Sequence, residues 1–519
     1  MNTHVRPPSG AYAIQVQPLD DTATARFGDI VLARSSRARV MYETRLTPTV
    51  YFPREDVLVP LSDETGFQTF CPFKGTATYH DVLLPGETLE KAVWCYGRAL
   101  PESTDIEGYV GFMPSAGVTV DTGAVALEQP DDGNINGPLV DWLLREAWAC
   151  KTPEILAQTL AEKMKASGIA VSRMSILIWS LHPQIAGKNY LWTHAAGEVT
   201  TYAPSYEIYD HPGFINSPLR HVSRGLGGVR QKIGVETEQS DFPVIDDLRA
   251  EGATDYVAMP LPFSDGQMNV MTLASDHPDG FTTANLGLIF ECLAIIGRYF
   301  EVFNQHENAR TLLETYVGPR AGARVLGGEI RRGDGDEIDA AIMFSDLRAS
   351  TRLETQLGRE AFLTLLNRFF ETNAEAVAAH GGEVLKFIGD AVLAVFPAGD
   401  DPDAARRNGL AAAQDILAGL ERLAAEMGAD LGGVECNCAI GIAYGRVMYG
   451  NIGSRDRLDF TVIGHAANVA ARLGDHGKTV GHRVVVTDDF DHDGMIPLGQ
   501  LNLHNVTETV DAFALPERC

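Results

Sequence analysis

The sequence predicts a multidomain chain made of an all-β region followed by two α+β regions. Three observations predict it. A length of 519 residues exceeds what one hydrophobic core supports. Short β-branched and aromatic runs fill residues 1–122, and helical periodicity begins abruptly at Leu139. A second change comes at Ile338, after the Gly-rich and charged run 327–337.

Hydrophobic residues make up 45% of the chain and charged residues 21%, the range of globular proteins. The net charge of −27 repels phosphate backbones and anionic lipid, which disfavours a general nucleic-acid or membrane-surface role. An anionic substrate must therefore be met by local cations or metal ions. Seven scattered cysteines do not make a disulfide framework and fit a reducing compartment. The opening residues lack a basic then apolar leader, and no stretch reaches the ~18 apolar residues of a spanning helix, so a cytoplasmic location is expected.

Within residues 1–122, the runs 39–42 and 49–52 read as strands broken by Pro and Gly. Tyr51, Arg54, Cys71, Lys74, Tyr79, Trp94 and Tyr109 are candidates either for a ligand pocket or for an aromatic core. The region resembles a small β-rich bacterial family without an established role. Residues 123–138 are turn-rich and acidic and read as a linker. From Leu139, Trp142, Leu143, Leu156, Leu160 and Met164 recur at helical spacing. Strands follow at 175–181, 190–194, 256–263 and 270–275, then a closing helix from Thr283 to Val302. Helix, antiparallel sheet, helix resembles a GAF-like sensor over residues 139–303, open to an unknown small-molecule or ionic effector. His182, Tyr190, Trp192, Asp241, Asp255 and Tyr256 are candidate contacts, each equally explained by sheet packing or turns. Residues 304–337 read as a helical transducer and linker, overlapping an amphipathic segment from Ile295 to Leu326 that suits its own domain or a second copy.

The strand 338–344 delivers Ser345-Asp346 at its end, where a carboxylate is placed to hold a hard cation. A helix from Arg359 to His380 stops at Gly381-Gly382. Strands 384–388 and 391–396 are joined by Gly389-Asp390, a second acid on a tight turn. Either acid alone is more often a cap or turn residue. Together they suit a two-metal site for phosphoryl or nucleotidyl transfer. Gly477-Lys478-Thr479 has Arg472 where a phosphate loop needs glycine, and reads as a loop.

The blocks FSDLRAST (344–351), GGEVLKFIGDAVLAVF (381–396) and DFTVIGHAANVAARL (459–473), in that order, resemble the three signatures of class III adenylate and guanylate cyclases. The resemblance covers residues 338–519 and implies a ferredoxin-like βαββαβ palm that converts ATP to cyclic AMP and pyrophosphate. It implies two Mg²⁺ or Mn²⁺ on Asp346, Asp390 and the Leu347 carbonyl, Asn468 on the ribose, and Arg472 on the α-phosphate. Lys386 with Thr461 matches an adenine-reading, Thr-containing bacterial subgroup. His504 stands where the family often carries a triphosphate Lys. The family builds each site from opposite edges of two domains, which implies a homodimer. The alternatives are a guanylate cyclase and a degenerate module that binds nucleotide without turnover.

Overall fold

The computed structural model describes residues 13–44, 46–127, 137–233, 242–427 and 436–516. Asp241 and most of the expected linker lie outside them. The chain divides into two compact units, residues 1–308 and 309–519.

The first unit opens with two antiparallel sheets. A seven-stranded sheet takes the order 14–18, 39–43, 46–53, 109–112, 87–95, 75–84 and 68–71, and a three-stranded sheet the order 118–121, 23–27 and 30–35. Alternate residues of both sheets meet in one core: Ala23, Ala25 and Leu32 from the smaller face Val40, Phe52, Val93 and Val110 from the larger. Next comes a six-stranded antiparallel sheet in the order 199–202, 187–193, 173–179, 268–275, 255–262 and 229–232. Helices at 138–145 and 153–166 and the start of a long helix cover one face through Trp142, Leu156, Leu160, Met164, Ile289 and Ile296. Short helices bearing Phe214, Val222, Ile245 and Leu248 cover the other. The predicted helix, sheet, helix plan is present; the two edge strands, only four residues each, carried no sequence signal.

Within the unit 1–308, the predicted β-rich domain packs against the six-stranded sheet. Phe73, in the turn between strands 68–71 and 75–84, is 0% exposed and belongs to the helix-covered core of the six-stranded sheet. Arg230, with a side chain 1% exposed, pairs with Glu102 at 2.8 Å and Asp255 at 3.3 Å and donates to the Pro72 carbonyl at 3.1 Å. Burial pushes the Asp255 carboxyl up, and Arg230 partly offsets it. A buried aromatic plug beside a buried ion pair joins the two halves. All five tryptophans lie in this unit, so their fluorescence reports it alone. Phe73→Ala is expected to destabilise the transition seen by tryptophan fluorescence in urea by about 3–5 kcal/mol; a change below about 0.5 kcal/mol would show that the plug carries no load.

Helix α1 (Thr283–Val317) runs without a break past Val302, where the sequence predicted the sensor helix to end. It stops at Gly318, whose φ of 99° favours glycine and where a Cβ would lie 2.7 Å from Glu383 Oε1. Helix α2 (Pro319–Leu326) then begins at a proline, so the amphipathic segment is two helices.

The second unit is built on β1 (Gly335–Leu347), α3 (Ser350–Leu357), α4 (Arg359–Ala379), β2 (Glu383–Ile388), β3 (Ala391–Pro397), α5 (Pro402–Glu426) and β4 (Cys438–Gly453). Strand order β2-β3-β1-β4 gives the βαββαβ arrangement. It is extended by β5 (Leu458–Ile463), α6 (His465–Val480), β6 (Val484–Thr487), β7 (Ile496–Leu501) and β8 (Val510–Ala514). β1 begins three residues before Ile338 and pairs with β4 along its whole length. Its run Ala340 to Met343 is buried because both faces are covered. Ala341 and Met343 meet Leu365, Phe369 and Ile416 of α4 and α5, while Ala340 and Ile342 meet Val469, Ala470 and Leu473 of α6. Gly477-Lys478-Thr479 is helical, contrary to the loop expected. Gly477 is there because a Cβ would lie 2.8 Å from the His482 carbonyl, and Gly481, at φ 88°, ends the helix.

Candidate active site

β1 and β3 pair with Asp346 opposite Ala391, which sets Asp346 beside the β2–β3 turn. Gly389 takes φ 64° in that turn and presents Asp390. The Leu347 N–H donates to the Asp390 carbonyl at 3.3 Å and ties the two strand ends together. The paired acids expected from sequence are therefore neighbours. Burial pushes the Asp346 carboxyl above its ordinary value, the Lys478 ammonium pulls it down, and Asp390 and Asp475 push it up again.

Lys478, in the last turn of α6, donates to Asp346 Oδ2 and lies 3.6 Å from Asp475 Oδ1. Arg472 pairs with Asp475 at 3.2 Å. A chain of alternating charge, Arg472, Asp475, Lys478, Asp346, thus links the Arg expected at the α-phosphate to the acid expected at the metal. Asp475 was not picked out by sequence reasoning, and Lys478 was weighed only within a rejected phosphate loop; charges at i, i+3 and i+6 on a helix look like a solvated face. Arg348 fixes this end of α6, its Nη2 donating to the carbonyls of Gly477 at 3.0 Å and His482 at 2.6 Å. Ala349 takes the left-handed conformation, φ 56°, just before α3. A non-glycine residue there costs on the order of 1 kcal/mol and marks a backbone held for a purpose.

Among the described residues no group of three His, Cys, Asp or Glu side chains forms a ready-made metal cage. Two carboxylates still fit a magnesium-type site, because that ion keeps several waters and takes one or two carboxylates plus substrate phosphates. Asp346 already accepts one cation, the Lys478 ammonium.

On the other edge, Lys386 of β2 pairs with Asp459 of β5 at 3.1 Å. Thr461, two residues along and so on the same face of β5, is only 8% exposed. The structure thus gives Lys386 a carboxylate partner that the sequence did not point to. Asn468 is exposed on α6, and His504 is exposed on the turn after β7, beside Asn505 at φ 62°.

Two cavities lie beside the six-stranded sheet of the first unit. A cavity of about 380 Å³ is lined by Leu177, Trp179, Asn189, Tyr202, Phe214 and Leu219. A neighbouring one of about 600 Å³ shares Trp179 and Phe214 and adds Asp210, Arg220 and Arg224. Volumes of this size suit a small ligand. Of the effector contacts expected from sequence, His182, Tyr190, Trp192, Asp255 and Tyr256 line neither cavity.

Residues 336–492 match the family of adenylate and guanylate cyclase catalytic domains. This stretch is a cyclase catalytic domain. Residues 15–125 match a domain of unknown function, DUF427. The uncharacterised Mycobacterium tuberculosis proteins Rv1320c and Rv1319c are 36% and 35% identical over 190 and 194 residues, 37% and 36% of this chain. The chain spans about a third of the length of these curated relatives, 32% and 33%. A bacterial light-regulated adenylyl cyclase aligns at 32% identity over 35% of this chain and 91% of its own, with a TM-score of 0.30. The guanylyl cyclase Cya2 aligns at 25% over 35% and 92%, with a TM-score of 0.31. Similar structures thus include cyclases of both base preferences. No helix among the described residues is long and apolar enough to cross a membrane.

Because the Asp346 carboxyl is held above its ordinary value, its ionised form weighs against the fold. The stability it contributes is present below the unfolded carboxyl range and is lost as pH rises through the folded value. Asp346→Asn is therefore expected to raise the thermal midpoint at pH 8, with the gain shrinking towards pH 4. A midpoint lowered equally at both pH values would contradict the upward shift.

Proposed function

We propose that this chain is an adenylate cyclase that converts ATP to 3′,5′-cyclic AMP and pyrophosphate. The observation that carries the reading is the pairing of Asp346 with Asp390 at adjacent strand ends inside a cyclase catalytic domain. Two Mg²⁺ or Mn²⁺ held by these carboxylates and the Leu347 carbonyl would neutralise the triphosphate and acidify the ribose 3′-hydroxyl. Arg472 supplies a planar, permanently charged fork to the α-phosphate oxygens, where charge builds in the transition state. Asn468 holds the ribose, and the Lys386 ammonium donates to adenine N1, which accepts, where guanine N1–H would oppose it.

We further read the active form as a homodimer. Asn468 and Lys478 are ten residues apart on α6, ~15 Å along the axis. Asp346 sits at the Lys478 end, so Asn468 of the same chain stands half a helix from the acids. A two-fold axis brings the Asn468 end of one copy to the acids of the other.

The Lys386–Asp459 pair favours guanylate cyclase as a second reading. A donor beside an acceptor can also take guanine O6 and N1–H. Full-length protein with Mn²⁺ and equal ATP and GTP is expected to release mainly cyclic AMP, with Arg472→Ala lowering kcat about 10²–10³-fold. Mainly cyclic GMP would overturn the base choice. Nucleotide binding without either product would overturn the enzyme reading and favour the degenerate module.

The middle region reads as the GAF-like sensor, with an effector in the paired cavities. Trp179, their shared wall, is tied to α1: Asn304 Nδ2 donates to the Trp179 carbonyl at 3.2 Å, and the Leu181 N–H donates to Asn308 Oδ1 at 3.0 Å. Both asparagines are buried, and α1 continues from them towards the catalytic unit. Asn304→Ala with Asn308→Ala is expected to change basal kcat by about 3–30-fold without changing nucleotide affinity; an unchanged kcat would sever this route.

A further inference from the structure

We propose that Lys478 is a substrate-binding residue whose ammonium takes the terminal phosphate oxygens of the nucleotide. The inference rests on the cyclase reading, and it concerns a residue that the family resemblance does not mark. A triphosphate brings about four negative charges to a site already holding Asp346, Asp390 and Asp475. In a chain of net charge −27, the compensating cations have to be local. On the homodimer reading, Arg472 of the second copy is one of them. Lys478 is the other cation on this stretch of α6, and it stands directly on Asp346.

Three features fit Lys478 to phosphate rather than to Asp346 alone. Its side chain is 35% exposed and that of Asp346 25%, so the pair opens to solvent where a ligand can reach it. Its backbone is anchored by the Arg348 bonds to the Gly477 and His482 carbonyls, so the starting point of the side chain is fixed. Its four-carbon stem leaves the ammonium free to swing from Asp346 to a phosphate oxygen while Asp475, at 3.6 Å, keeps it over the site. His504, the residue expected at the triphosphate, lies exposed on the turn after β7.

The test is calorimetric titration of the full chain with inorganic tripolyphosphate, with and without Mn²⁺, alongside steady-state kinetics with ATP. Lys478→Met is expected to weaken tripolyphosphate binding about tenfold or more and to raise KM similarly, with a smaller fall in kcat. Lys478→Arg, which keeps the charge, is expected to bind tripolyphosphate within about threefold of the natural chain. A purely neutralising role would instead leave tripolyphosphate affinity and KM within about twofold in Lys478→Met, and that result overturns the proposal. Lys478→Gln gives the same readings if the methionine variant does not fold. Tripolyphosphate binding that depends on Lys478 in a protein making no cyclic nucleotide would overturn the cyclase reading while upholding the phosphate site.

Discussion

Two carboxylates held together at the ends of neighbouring strands are the constraint to which the rest of the catalytic unit responds. Asp346 and Asp390 meet because β1 is buried on both faces, pairs with β3 in a fixed register, and ends where the Gly389 turn begins. Like charges in partial burial are unfavourable unless cations answer them. Lys478 answers at once, and Asp475 and Arg472 extend the answer along α6. Arg348 pins that end of the helix to the strand bearing Asp346. Burial is the main cause of the upward push on the Asp346 carboxyl, and Lys478 partly offsets it.

The first unit obeys a different logic. Phe73 and the Arg230 cluster make its β-rich part and its six-stranded sheet share a core. Losing one partner of such a buried pair leaves an uncompensated charge, so the two halves are expected to fold and melt together. The same unit holds the paired cavities and the buried asparagines of α1. Trp179, in the wall of both cavities, and Leu181 are hydrogen-bonded to Asn304 and Asn308 of α1.

Much of this was legible in the sequence where local signals agree. The apolar runs of β1 and β3, the helical periodicity of α4 and the Gly-Asp turn each declared themselves, and the two acids followed from them. What stayed hidden depends on distant parts of the chain. Phe73 looks like any strand-flanking aromatic until another sheet's helices close over it. Asp459 lies beside Lys386 only because β5 folds back along β4, bringing together residues 73 apart. The cavity draws on strands 173–179 and 187–193 and on the segment 202–219, which no single window joins. Gly477 misled in the other direction, since a close approach to a carbonyl, and not a turn, selects it.

The central claim is that cyclisation needs the acids of one copy and Asn468 and Arg472 of another. Mixing inactive Asp346→Ala and Arg472→Ala chains measures it most directly, because each mixed dimer keeps one intact site. Random pairing is expected to restore about a quarter of the natural turnover. A mixture that stays inactive, under conditions where the unaltered chain turns over and the two variants form mixed dimers, would contradict the account.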